Sequence, residues 1–196
     1  TRLTPEAIER IQQFFTEPAY ASLTDSPDTL VQARFENRSF DNWVTRNVNT
    51  HKKPGYAIVT LTAKKTGTPP GDVSDRQLEQ IADLADQYSF GEVRVTHEQN
   101  VVLADVRQDQ LFELWQALCP MGFGTANLNT LTDIICCPGG DFCALANAKS
   151  IPIAEAIQRR FDNLDFLYDL GNIDLNISGC MNACGHHHVG HIGVLG

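Results

Sequence analysis

The chain has 196 residues, 42% of them hydrophobic and 20% charged, and a net charge of −9. That is enough chain for one large or two small domains with a real core, and it excludes a disordered tail, a collagen-like rod and a coiled coil. The acidic balance speaks against general nucleic-acid binding, which depends on neutralising phosphates. No apolar run approaches the ~20 residues of a membrane helix, and the first fifteen residues lack the basic flank and apolar centre of a secretory signal, so a cytoplasmic protein with no membrane partner is expected.

Pro5 suits the first turn of a helix capped by Thr4, and Ile8, Ile11, Phe14 and Phe15 follow at helical spacing. Pro18 and Pro27 limit helix length. Residues 35–50 hold Phe35, Phe40 and Trp43 among charges without a clean period, and this stretch is expected to pack on something else. Between Arg34 and Lys65 seven bases stand against two acids, a local excess of +5 that leaves −14 for the rest. The excess is either a solvated basic face or an anion site.

Tyr56–Ala63 alternates and is β-branched, which predicts a strand. Ser74 caps a predicted helix with Leu78, Ile81, Ala82, Leu84 and Ala85 as its apolar stripe. Val93–Thr96 and Val101–Val106 read as strands joined by a turn at His97–Asn100. Asp109 is expected to cap a second helix with Leu111, Leu114, Trp115 and Leu118 inward, and a last strand is expected near 124–130. The order βαββαβ is the ferredoxin-like split βαβ pattern, within an α+β fold. Further on, Ala144–Phe161 reads as a helix broken near Pro152, Asp174–Ser178 as a strand, and Gly193–Gly196 as the start of another. The chain ends without a terminal helix or polar tail, and it is expected to be cut from a longer protein.

The chemistry lies in the cysteines: Cys119, Cys136, Cys137, Cys143, Cys180 and Cys184. Three disulfides are set aside for a cytosolic chain of this size. Cys137 and Cys143 form C-x5-C, and after 36 intervening residues Cys180 and Cys184 form C-x3-C. Four thiolates on loops near Gly139, Gly140, Gly179 and Gly185 can wrap an iron–sulfur cubane, because tight turns free backbone N–H groups to donate to sulfur. Structural zinc prefers C-x2–4-C, so x5 is off that pattern while x3 is not. Cys136 would give x6 and reads as a buried small residue, and Cys119 reads as core. His186, His187, His188 and His191 have spacing that zinc also accepts.

The segments CCPGGDFCALANAKS and ISGCMNACGHHHVGHIGVLG closely resemble the siroheme- and [4Fe–4S]-dependent sulfite and nitrite reductases. The resemblance implies that Cys137, Cys143, Cys180 and Cys184 are the metal ligands of one [4Fe–4S] cluster, and that Cys184 also bridges to the iron of siroheme. It places Asn182 against the macrocycle. Arg94–Asn100 resembles the family's R-x-T-x-x-Q-N stretch, which makes Thr96, Gln99 and Asn100 expected cofactor neighbours. The histidine run is then expected along the cofactor edge, and the Arg34–Lys65 bases are candidate partners for siroheme carboxylates.

Only the second half of such an enzyme is matched, over roughly 51–196. The implied organisation is a partly helical connector at 1–50, a ferredoxin-like half-domain at 51–123, and part of an α/β cluster- and siroheme-binding domain at 124–196. The implied activity is six-electron reduction of sulfite to sulfide, with nitrite as the alternative. A flavoprotein reductase subunit or ferredoxin would be the electron donor. The substrate-anion residues are expected in the missing half, so this chain alone is expected to be silent. Its rivals are a cluster-binding electron-transfer module and a zinc-stabilised domain.

Overall fold

The computed structural model describes residues 3–196. Helix α1, Pro5–Gln12, is capped by the Thr4 hydroxyl as its sequence predicts, yet it buries none of its side chains. Ile8, Ile11, Phe14 and Phe15 are all exposed. Helices α2, Asp28–Glu36, and α3, Arg38–Asn47, follow, and α3 is capped by Asn37 accepting the N–H of Phe40. The aperiodic stretch thus contains a regular helix whose buried face is Phe40, Trp43, Val44 and Asn47, spaced i, i+3, i+4, i+7. Its period is hard to read because Asn47 is polar. That side chain is buried by donating to the Thr60 carbonyl at 3.0 Å.

Strand β1, Val48–Thr50, comes straight off α3, and β2, Tyr56–Leu61, pairs antiparallel with it. Helix α4, Asp75–Tyr88, opens on a capping box in which Ser74 and Gln77 satisfy each other's backbone N–H. It buries Ile81, Leu84, Ala85 and Tyr88, while Leu78 and Ala82 stay exposed, contrary to the expected stripe. The first turn of α4 instead faces the end of the next helix, where Gln77 donates to the Met121 carbonyl at 2.8 Å.

Strands β3, Arg94–Val95, and β4, Val101–Arg107, form the predicted hairpin. Helix α5, Leu111–Met121, then returns over the sheet and ends at Gly122 in the left-handed region. Asp109 does not cap it: a short 3-10 turn intervenes, and the carboxylate takes two bonds from Arg107 at 3.0 and 2.6 Å. Cys119, expected in the core, is exposed. Leu111, Leu114 and Leu118 occupy the inner face, and the next residue is rotated by about 100°.

The sheet order is β1-β2-β4-β3. This is the ferredoxin-like arrangement with one change. No strand forms at 124–130, and the edge beside β2 is filled by β1 from upstream. Phe40 and Trp43 pack under α5, with Phe40 ring centroids 5.0 Å from Phe112 and 5.5 Å from Trp115. The expectation that this stretch packs on something else is met here.

A second, parallel sheet has the order β5-β6-β7. Strand β5, Ile135–Cys136, is followed by α6, Ile151–Arg160, and α7, Leu164–Leu170, before β6, Leu175–Ser178, and β7, Ile192–Leu195. Residues 144–150 are irregular, so Pro152 lies in the first turn of α6 and interrupts nothing. Leu131, Ile134, Ala154, Leu167, Leu175 and Ile177 form this sheet's own core. Asn100 joins the two sheets by accepting from the Ala63 N–H and donating to Asp133. Tyr168 adds a bond to the Ala126 carbonyl, with Arg46 stacked 4.4 Å over its ring. Among the described residues no helix is long and apolar enough to cross a membrane.

Candidate functional site

Neighbouring parallel strands β5 and β6 deliver two cysteine loops at their carboxyl ends, where open α/β sheets place ligand sites. Cys137 directly follows β5 and Cys180 lies two residues beyond β6. The Gly179 N–H donates to the Cys137 Sγ at 3.1 Å, and the Ser150 Oγ lies 3.5 Å from the same sulfur. Cys143 closes a turn by donating its N–H to the Gly139 carbonyl at 2.9 Å. The Gly179 carbonyl accepts from both Asn147 and Ala148, at 2.8 and 3.1 Å, so the two loops are bonded to each other.

Glycine is required at the crossing point. Gly139 has φ of 57°, and a Cβ there would sit 2.5 Å from the Ser150 backbone N. A Cβ on Gly179 would lie 2.7 Å from the Ala148 carbonyl O. Cys137 and Cys180 are buried, Cys143 is half-buried and Cys184 is exposed. Phe142, Leu145, Met181 and Val189, all on or beside these loops, turn large apolar side chains to the surface. None of the six cysteines is in a disulfide.

Four free thiols on two mutually bonded loops have the donor chemistry that an iron–sulfur cluster would need. Among the described residues no three His, Cys, Asp or Glu side chains gather into a group for a single metal ion. A cubane presents its irons at separate corners, so its ligand sulfurs stand further apart than those around one ion. The residues present therefore fit a cluster in the chemistry of their donors.

The histidine run does not converge. His191 Nδ1 accepts from the Asp174 N–H at 3.0 Å, the His186 carbonyl accepts from Asn176, and the His187 and His188 rings meet edge to face. Asn182 is exposed between Cys180 and Cys184.

Thr96, Gln99 and Asn100 are committed to protein partners. Thr96 Oγ accepts the Asn100 N–H, Asn100 is buried between Ala63 and Asp133, and Gln99 holds the backbone of Cys136. The side-chain amides of Gln99 and Asn100 thus bridge the two sheets, with Asn100 buried and Gln99 half-buried.

The basic stretch is dispersed rather than focused. Arg34 pairs with Asp41, Arg38 with Asp165 and Lys53 with Glu17, while Lys64 is buried. Lys64 is also a feature that sequence reasoning left in the basic excess. Its Nζ donates to the Glu98 and Gln99 carbonyls at 2.6 and 3.3 Å, and burial pulls its pKa down to about 8. Burial also raises the carboxyl of Asp133, against the opposing pull of Lys64. Cys136 is buried as expected, donates its Sγ to the Cys137 carbonyl at 3.3 Å, and has its thiol pushed up to about 12 by burial. Such a thiol is inert beside its neighbour. Ser150 was missed as well; its signal in the sequence is no more than a polar residue before a helix.

The antiparallel sheet with α4 and α5 against it is a ferredoxin-like half domain, and residues 55–121 match the family profile described as the nitrite/sulfite reductase ferredoxin-like half domain. The ferredoxin–nitrite reductase of Synechococcus elongatus is 30% identical over 96% of this chain and 34% of its own length. A sulfite reductase [ferredoxin] of Mycolicibacterium paratuberculosis is 31% identical over 64% of this chain and 23% of its own. Among solved structures, the NirA protein of Mycobacterium tuberculosis superposes with a TM-score of 0.57 and 25% identity, over 72% of this chain and 26% of that one. The chain is thus similar to nitrite and sulfite reductases, and residues 55–121 match their ferredoxin-like half domain. It spans about a third or less of the length of these relatives.

Proposed function

We propose that this chain forms the cluster- and siroheme-holding part of a reductase that converts sulfite to sulfide, with ferredoxin as electron donor. Nitrite reduction to ammonia is the second reading, favoured by the Synechococcus relative that aligns along nearly the whole chain and is a nitrite reductase. A mycobacterial sulfite reductase supports the first. The observation that carries the proposal is the bonding of the Cys137–Cys143 loop to the Cys180–Cys184 loop through Gly179.

In this reading Cys137, Cys143, Cys180 and Cys184 would hold a [4Fe–4S] cluster, and the loop carrying Cys184 would also hold siroheme. When bound, these groups supply the redox chemistry, six electrons delivered singly to one small oxyanion. The chain's own contribution is to place and tune the thiolates. The Gly179 N–H withdraws charge from the Cys137 sulfur. Phe142, Leu145 and Met181, on or beside the two cysteine loops, expose apolar side chains of the kind that would suit the face of a macrocycle.

Anaerobic reconstitution with iron and sulfide tests this. About four irons and four labile sulfides per chain are expected, lost in Cys180→Ser and kept in Cys136→Ser. Zinc without sulfide in the same preparation would make this a structural metal domain. Siroheme absorption after loading separates a reductase from an electron-transfer module. Sulfite and nitrite, supplied separately with a reduced dye, identify the substrate in the cofactor-loaded enzyme.

A further inference from the structure

We infer that Gln99 is a positioning residue: its side-chain amide fixes the backbone of Cys136 and, through it, the thiol of Cys137. The inference rests on the reading of Cys137 as a cluster ligand for its functional meaning, though not for its geometry.

Strand β5 lies at the edge of its sheet and is two residues long. Cys137 donates its N–H inward to the Ile177 carbonyl at 3.1 Å. Because the pleat alternates, the N–H and C=O of Cys136 point the other way, off the edge. Cys136 is 3% exposed, so water does not satisfy them. The Gln99 amide does. Its Nε2 donates to the Cys136 carbonyl at 2.8 Å, and its Oε1 accepts the Cys136 N–H at 2.9 Å. One side chain thus supplies the rung that a further strand would have made.

The amide is itself held from below. Gln99 has φ of 61°, a left-handed turn residue. Lys64 holds that turn through the Glu98 and Gln99 carbonyls, and the Gln99 N–H donates to the Thr96 carbonyl at 3.2 Å. Gly71 leaves the space: a Cβ there would lie 2.9 Å from the Gln99 Cβ. The connection runs from the end of β2, through the β3–β4 turn, to the first cysteine loop. It fixes Cys137 from its N-terminal side, while Gly179 holds the sulfur itself.

Replacing Gln99 with isosteric side chains separates this role from space filling. Gln99→Glu keeps the acceptor for the Cys136 N–H and loses the donor, and Gln99→Met loses both. The probe is iodoacetamide on the reduced, metal-free chain, with Cys137 alkylation followed by peptide mass spectrometry. Amide exchange of Val59 and Leu103, in the fully buried centre of the other sheet, monitors the fold as a whole.

A graded rise in Cys137 alkylation is expected. Gln99→Met should react at least about tenfold faster than the unchanged chain, with Gln99→Glu between them, while protection of Val59 and Leu103 holds. Cluster retention under chelator should fall in the same order. Equal alkylation in all three proteins would overturn the inference, since only shape would then matter. So would a parallel loss of protection at Val59 and Leu103, which would make Gln99 a general element of the fold. A graded alkylation series in a chain that takes up no iron or sulfide would support the positioning of the thiol and remove the ligand reading.

Discussion

Replacing Lys64 with methionine measures what a buried ammonium does to this fold. Lys64 is 2% exposed, and its charge is met by two backbone carbonyls rather than by a carboxylate in contact. Burial lowers its pKa from an ordinary 10.5 to about 8. In the folded state the proton is therefore held less tightly than in the unfolded chain. Between pH 8 and 10.5 the unfolded chain binds more protons, so stability rises with pH across that window. The shift corresponds to about 3 kcal/mol in full, fully present above the unfolded pKa and lost as pH falls through the folded one.

Urea unfolding of both proteins at half-unit steps from pH 6 to pH 10 isolates the effect. Most other titrations are common to the two chains and cancel in the difference. The stability of the native chain relative to Lys64→Met should be flat below about pH 7.5 and then climb by about 1.4 kcal/mol per pH unit above about pH 8. Asp133, the acid that Lys64 faces, has its carboxyl raised by burial against the opposing pull of Lys64. Parallel curves would refute the reasoning, because a lysine able to reach water would keep its ordinary proton affinity.

Two further outcomes are expected. Phe40→Ala should lose about 3–5 kcal/mol in urea unfolding, because the ring is fully buried against Phe112 and Trp115. Phe35→Ala, at 91% exposure five residues earlier, should change stability by about 0.5 kcal/mol or less, and comparable losses in the two would contradict the packing of α3. Gly139→Ala should cost more than about 1 kcal/mol beyond Gly67→Ala and lower iron retention in the reconstituted chain. Both glycines have positive φ, yet only Gly139 meets backbone where its Cβ would stand. Equal effects would show that the loop crossing is slack.

Local patterns in the sequence were decisive where the interactions are themselves local. Ser74 and Gln77 stand three apart, so their capping box is legible without any tertiary information, and so is the Thr4–Pro5 helix start. The C-x5-C and C-x3-C spacings single out Cys137 from Cys136 and resemble one family, the one whose half-domain profile residues 55–121 match. The β-branched alternation of Tyr56–Ala63 and the apolar run Val101–Val106 likewise reveal the two central strands.

What no local pattern carries is which distant groups satisfy one another. The edge beside β2 could be filled from either side in the chain, and the sequence reading places its last strand near 124–130. Helix α3 feeds directly into β1, and this decides the pairing. The same holds at the site. Buried backbone must find partners, and the side chains of Gln99 and Asn100 supply them to Cys136 and Ala63, a pairing that no local pattern announces. The sequence by itself carried the resemblance to the nitrite/sulfite reductases and the two central strands. The tertiary structure alone decided that β1 closes the first sheet, that Lys64 is buried beneath the turn, and that Gly179 and Gln99 hold the first cysteine loop. Those choices depend on hydrogen bonds between groups tens of residues apart, and such bonds leave no periodic mark on the chain.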